Sequence, residues 1–204
     1  LLSWVFASRH YVLSEVYDCL TKHCPQAKII FDTVDLHFLR EQRQAELACD
    51  AAAYKVANAT RSQELSLIQK ADVTTVVSIT EKDLLLDIMP DASIQILSNI
   101  HCNVSSVNPP SKRTGLLFMG GYQHPPNVDA ADWLIGEILP MIQQRDPEIE
   151  LHLIGSRMPH WLQAAQRPGL RNHGFVEDVT PYLQTCKVSV APLRYGAGVK
   201  GKVN

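Results

Sequence analysis

The sequence predicts an α/β protein made of two Rossmann-like parallel-sheet units in series, both incomplete. Three observations predict it. Short apolar or β-branched runs alternate with longer helical patterns. The alternation breaks once, at the aperiodic stretch "HCNVSSVNPPSKRT", and then restarts. With 46% hydrophobic and 20% charged residues over 204 positions, the chain also has the apolar material for such cores.

In chain order, "AKIIFD" reads as a buried strand. From Leu36 to about Lys70 runs a segment almost free of Gly and Pro, one long helix or two joined ones, with Leu47, Ala51, Tyr54, Leu65 and Ile68 as its stripe. "VTTVVSIT" is a β-branched strand, and "TEKDLLLDIM" a short helix with Thr80 as N-cap. "ASIQILSN" is the next strand. These elements place a half-domain in residues 1–100, a linker in 101–114 and a second domain in 115–204.

In the second domain "TGLLFMGG" is a strand ending in glycines. "NVDAADWLIGEILPMIQQR" is an amphipathic helix with Ala130, Trp133, Leu134, Ile138, Met141 and Ile142 on one side and Asn127 as its cap. Strand "IELHLIGS", helix "PHWLQAAQ", strand "GLRNHGFV", helix "DVTPYLQTC" (Asp178 as N-cap) and strand "KVSVAPL" follow. Parallel sheets bind ligands beyond the carboxyl ends of their strands. That rule marks 32–35, 120–127, 155–157, 173–177 and 194–202 as site edges.

The bulk numbers exclude some classes. A net charge of −2 gives no basic surplus, so no nucleic-acid partner is expected. The five cysteines are odd in number and lack C-x-x-C spacing, which reads as reduced thiols. No apolar run approaches the ~20 residues of a membrane helix. "LLSWVFA" is too short for one and lacks the charged n-region of a signal peptide. With no initial methionine, a fragment or processed chain is expected. No His, Cys or carboxylate set has metal-ligand spacing, and His152 and His173 read as lone structural histidines.

The chain closes on "RYGAGVKGKVN". Gly196, Gly201 and Lys202 have the G-x-x-x-x-G-K spacing of a P-loop, but Val203 stands where the magnesium-binding Ser or Thr belongs. A phosphate-contacting loop of another kind fits better. Its glycines let backbone N–H groups approach an anion, and Lys200 and Lys202 neutralise it. The glycines of "MGGYQHPPN" do not follow G-x-G-x-x-G, and no acidic residue ends the next strand, so a dinucleotide-binding dehydrogenase is disfavoured.

The run from "GLLFMGGYQHPPNVDAADWLIGEILPMI" through "ELHLIGSRMP" to "GLRNHGFVEDVTPYLQTCKVSVAPLRYGAGVKGKVN" resembles the nucleotide-sugar-binding domain of the retaining glycosyltransferases of family 4, the group 1 transferases with the GT-B fold. "KIIFDTVDLHFLREQR" resembles the second half of the acceptor domain in bacterial polysaccharide members. The resemblance implies transfer of a sugar, with retention, from a UDP- or GDP-sugar to a glycan or lipid-linked acceptor. It implies no cofactor beyond that donor, and work in the cytoplasm with peripheral contact at the inner membrane face. In this family a glutamate–alanine pair follows the glycine loop at once; here it would fall past Asn204, so the fragment alone is expected to be inactive.

The resemblance also assigns residues. Donor contacts fall on Gly120, Gly121, His124, Asn127, Phe175, Val176, Gly196 and Gly198, against plainer readings of His124 as a solvent-exposed loop histidine and Phe175 as core filler. The family's Arg after the first glycine and Lys about five residues on are here Gly121 and Pro126, or Asn127. Arg194, Lys200 and Lys202 are expected to carry the phosphate charge instead. Many members have a histidine near "TVD", so Asp35 or His37 takes the catalytic position, against a plainer reading of Asp35 as a helix N-cap. Arg40 and Arg43 lie one turn apart and suit an anionic acceptor, or simply a solvated helix face. Rival readings are a GT-B-like binding module without chemistry and an epimerase acting on UDP-N-acetylglucosamine.

Overall fold

In the structure, a computed structural model, residues 2–100 and 108–199 are described. Two compact units divide the chain: Leu1–Ile100 with Tyr195–Val199, and His101–Arg194 with Lys200–Asn204. Each holds one four-stranded, all-parallel sheet, so the predicted α/β class with two parallel sheets is the class observed.

The first unit runs β1 (Trp4–Ser8), α1 (His10–His23), β2 (Lys28–Asp32), α2 (His37–Ala48), α3 (Ala51–Lys70), β3 (Val73–Val76), α4 (Ile79–Ile88) and β4 (Ile94–Ile96). Its strand order is β1-β2-β3-β4. Alternation sends Ala7, Ile29, Phe31, Val76 and Ile94 into a core with Leu13, Leu67, Ile68 and Leu85 from the helices. The segment before residue 27, where the sequence pattern marks no element, holds β1 and α1.

Of the two readings of the segment from Leu36 to Lys70, the joined pair of helices is the one observed, while its apolar stripe and the cap of α4 are corrected. The long helical segment is two helices, because Cys49 takes a left-handed conformation and Asp50 caps α3 through its carboxylate, accepting from Ala52 N (2.8 Å) and Ala53 N (3.1 Å). The break rotates the inner face, so Leu47 and Tyr54 are exposed and Ala57, Glu64, Leu67 and Ile68 are buried. Helix α4 is capped two residues earlier than predicted, by Ser78, whose hydroxyl accepts from Glu81 N at 3.2 Å.

The second unit runs β5 (Thr114–Met119), α5 (Pro125–Trp133), α6 (Leu139–Gln143), β6 (Leu151–Ile154), α7 (His160–Gln163), β7 (Leu170–Gly174), α8 (Thr180–Thr185) and β8 (Cys186–Ser189). Its strand order is β7-β6-β5-β8. Helix α5 begins at Pro125 with His124 as its cap residue, so Asn127 lies inside the helix and does not cap it. A π-helical turn, Leu134–Ile138, joins α5 to α6. Its extra residue shifts the inner face: Ile135 and Leu139 are buried while Met141 is 67% exposed, against the predicted stripe. Asp178 accepts from Thr180 N at 2.9 Å, but the cap residue of α8 is Val179, so Asp178 stands one position before the cap expected of it.

Candidate functional site

In the first unit the candidate residues lie at the carboxyl ends of β1, β2 and β3. The Asp32 carboxylate ends β2 and accepts from Ser8 Oγ at 3.0 Å and Thr75 Oγ1 at 2.9 Å, which ties the three strand ends together. Beyond it the chain turns through Val34 at φ 64°, a conformation a β-branched residue rarely takes. That turn presents Asp35 and leads into α2.

The start of α2 has no cap of its own. Leu36 is its cap residue and makes no side-chain bond. Buried carboxylates from two other helices do the work. Glu81 of α4 accepts from Leu36 N (3.2 Å), and Glu64 of α3 accepts from His37 N (3.2 Å) and Phe38 N (2.8 Å). Asp35 is therefore not the N-cap that the plainer reading made it. Its carboxylate pairs with Arg40 one turn along, and His37 Nδ1 lies 3.7 Å from it and 3.3 Å from the Asp35 carbonyl.

Burial sets the protonation of this cluster. Desolvation holds His37 and His10 below the usual histidine value and pushes Glu64 up to about 7, against the pull of its two backbone N–H bonds. His10, His37 and Glu64 bring potential ligand atoms within 4.8 Å of one another, from positions too far apart in sequence to show as a motif. Both ring nitrogens of His37 are already engaged, however, Nδ1 by Asp35 and Nε2 by Arg9 Nη1 at 3.4 Å, so the trio is not a ready cation site. Arg9 and His10 were missed in the sequence because the element that carries them was not assigned.

Two of the loop glycines belong to this unit. The Gly198 N–H donates to Glu81 Oε1 at 2.8 Å, and the Gly196 carbonyl accepts from Arg43 Nη1. Gly198 sits at φ 72°, and a Cβ there would approach Asp35 Cβ to 3.1 Å. Arg43 thus has a backbone partner and is not just a solvated side chain. Lys200 and Lys202 lie outside the described residues.

In the second unit Gly120, Gly121, His124 and Asn127 form one loop-to-helix corner after β5. Asn127 Nδ2 donates to the Gly121 carbonyl at 2.8 Å and packs where a Cβ on Gly120 would stand. Gly155, at the end of β6, closes the corner from below: a Cβ there would lie 1.7 Å from the Gly120 carbonyl oxygen. Pro125 and Pro126 carry no N–H, and Asn127 N donates to the His124 carbonyl, so the first turn of α5 offers few donors to an anion. Arg194 pairs with the Asp129 carboxylate through Nε (3.0 Å) and Nη2, over the Trp133 ring.

Past β7, Phe175 is 73% exposed and is not core filler, while Val176 packs beside Leu117, Ile154 and Cys186. His152 and His173 are not lone. Their rings are parallel on neighbouring strands with Nδ1 and Nε2 2.9 Å apart, Tyr182 Oη stands 3.4 Å from His173, and burial lowers both pKa values.

Residues 113–204 match the family model described as "Glycosyl transferases group 1". No curated protein matches the chain in sequence. Among solved structures, TarM has a TM-score of 0.67 at 12% identity over 98% of this chain and 37% of its own. A sucrose-phosphate synthase from Thermosynechococcus elongatus scores 0.64 at 12% identity, over 97% and 52%. The pneumococcal O-GlcNAc transferase GtfA, in complex with UDP and GlcNAc, scores 0.60 at 14% identity, over 97% and 38%. The chain thus spans between about a third and a half of the length of these structures. Their GT-B glycosyltransferase fold is the fold of this chain. Among the described residues no helix is long and apolar enough to cross a membrane.

Proposed function

We propose that the chain is part of a retaining, family 4 type glycosyltransferase. In this reading it moves a sugar from a UDP- or GDP-sugar to a glycan or lipid-linked acceptor, as in bacterial polysaccharide biosynthesis, in the cytoplasm and at the inner membrane face. The observation that carries the reading is the group 1 glycosyltransferase match over residues 113–204, in a chain whose candidate residues gather at the carboxyl edges of two parallel sheets.

The chemistry asks for little else. Breaking the anomeric bond to a diphosphate builds negative charge on the leaving group and positive charge on the sugar. In this reading Arg194, Lys200 and Lys202 meet the diphosphate, and the corner of Gly120, Gly121, His124 and Asn127 lies against the donor. Phe175 and Val176 contact the base, whereas for the Gly196 and Gly198 loop a phosphate would have to compete with Glu81 for the Gly198 N–H. Asp35 faces the reacting centre, with His37 behind it fixing its backbone and carboxylate. No cofactor beyond the donor is required.

A second reading, a GT-B-like module that binds without chemistry, is favoured by one observation. The cation expected at the α5 loop is replaced by Gly121 and Pro126, and Arg194 already has an acid partner. Thermal-shift titration with UDP, GDP, ADP and NAD, without metal and then with magnesium, separates the readings. Metal-independent stabilisation by UDP or GDP alone is the transferase result. Silence toward all four nucleotides contradicts it and leaves the module.

A further inference from the structure

We propose that Arg9 is a positioning residue: its guanidinium fixes His37 in the tautomer that carries its proton on Nδ1, aimed at Asp35. The proposal rests on the reading that places Asp35 and His37 at the reacting centre, and it adds the residue that sets their geometry.

Arg9 follows β1 at φ 77° and ψ 140°, backbone angles that side-chain-bearing residues adopt only when something holds them there. Its N–H donates to the Asp32 carbonyl at 2.8 Å, which anchors the turn to the end of β2. From that turn Nη1 reaches to 3.4 Å from His37 Nε2. A guanidinium can only donate. His37 Nε2 must then present its lone pair, and the single ring proton of the neutral imidazole resides on Nδ1. That nitrogen faces three acceptors: the Asp35 carbonyl at 3.3 Å, the Asp35 carboxylate at 3.7 Å and Glu64 Oε1 at 3.7 Å, the last also 3.6 Å from His10 Nδ1.

The packing around the ring serves the same end. His10 of α1 stands edge-on to His37 with ring centroids 4.7 Å apart, and Tyr11 is likewise perpendicular at 6.2 Å. The remaining charged neighbours are Arg40, paired with Asp35, and Glu41, which acts on His10. Arg9 is the one among them placed against Nε2. A glycine would suit its backbone better.

The test exploits that conflict. Arg9→Gly removes the guanidinium and relieves the turn, so the full chain should fold at least as stably. Imidazole nitrogen NMR of uniformly 15N-labelled chain, with His37 identified by the loss of its signals in His37→Gln, reads the tautomer directly. The wild-type chain should show His37 protonated on Nδ1 with a bare Nε2. Arg9→Gly should move the major population to Nε2–H or to a mixture, and Arg9→Lys, which also donates, should restore the Nδ1–H form in part. A wild-type His37 protonated on Nε2, or an unchanged tautomer in Arg9→Gly, would overturn the proposal. Because the readout needs no sugar transfer, its failure is distinct from failure of the transferase reading, which the nucleotide titrations decide.

Discussion

At the scale of single residues the account rests on buried acids that work for elements other than their own. Glu64 has no exposed surface, yet it accepts two backbone N–H groups at the start of α2. Desolvation outweighs those bonds and raises its pKa to about 7, from an ordinary value near 4.5. The sign follows. The unfolded chain releases this proton first, so the associated stability is full below about pH 4.5 and is lost as pH rises through 7. Glu64→Gln keeps an acceptor oxygen and has no charge to bury. Its urea midpoint relative to wild type should therefore improve between pH 5 and pH 8, by on the order of 1–3 kcal/mol in unfolding free energy. A difference that is flat with pH would refute the burial account. Arg194 supplies a second test. Asp129 occupies its guanidinium, so Asp129→Asn should tighten UDP binding several-fold and Arg194→Ala should weaken it about tenfold, read by calorimetry. No change in either variant would remove Arg194 from the donor site.

Secondary-structure elements show what the sequence could and could not say. Strand and helix alternation was legible because each parallel strand is a short apolar run and each helix a longer periodic one. Local chemistry, which pattern does not show, decides where the elements break. Asp50 lies inside a run almost free of Gly and Pro, and its carboxylate caps α3 at Ala52 and Ala53. Asp50→Ala should cost about 1 kcal/mol in denaturant unfolding with little loss of helix content, whereas a neutral result would mean that packing alone sets the α2–α3 break. Pro140, with no N–H for the ordinary helical ladder, follows the π turn at Leu134–Ile138, but a stripe read at one unbroken period passes over it, so the outward turn of Met141 is not legible. Gly155 was placed at a site edge by the strand-end rule, but its reason is steric: the Gly120 carbonyl lies where a Cβ would be. Gly155→Ala should cost upwards of ~3 kcal/mol or prevent folding of the second unit, and thermal unfolding like wild type would contradict the close approach.

For the whole molecule, class and fold were readable because repeated parallel-strand alternation has few physical solutions. The candidate site was readable only in part. Rules about strand ends selected Asp35, the Gly120–Gly121 corner and the Phe175 turn. They could not reveal that α2 is capped from α3 and α4, that Arg9 faces His37, or that His152 and His173 form a pair, because these contacts join residues distant in sequence. The central claim is that the glycine corner of the second unit receives a nucleotide sugar. Hydrogen exchange of the backbone amides with and without UDP, in metal-free buffer, tests it most directly. The account predicts slowed exchange at Gly120–His124 and around Phe175–Val176, with Leu116–Phe118 unchanged. UDP binding that leaves those amides unprotected, or no binding at all, would contradict it.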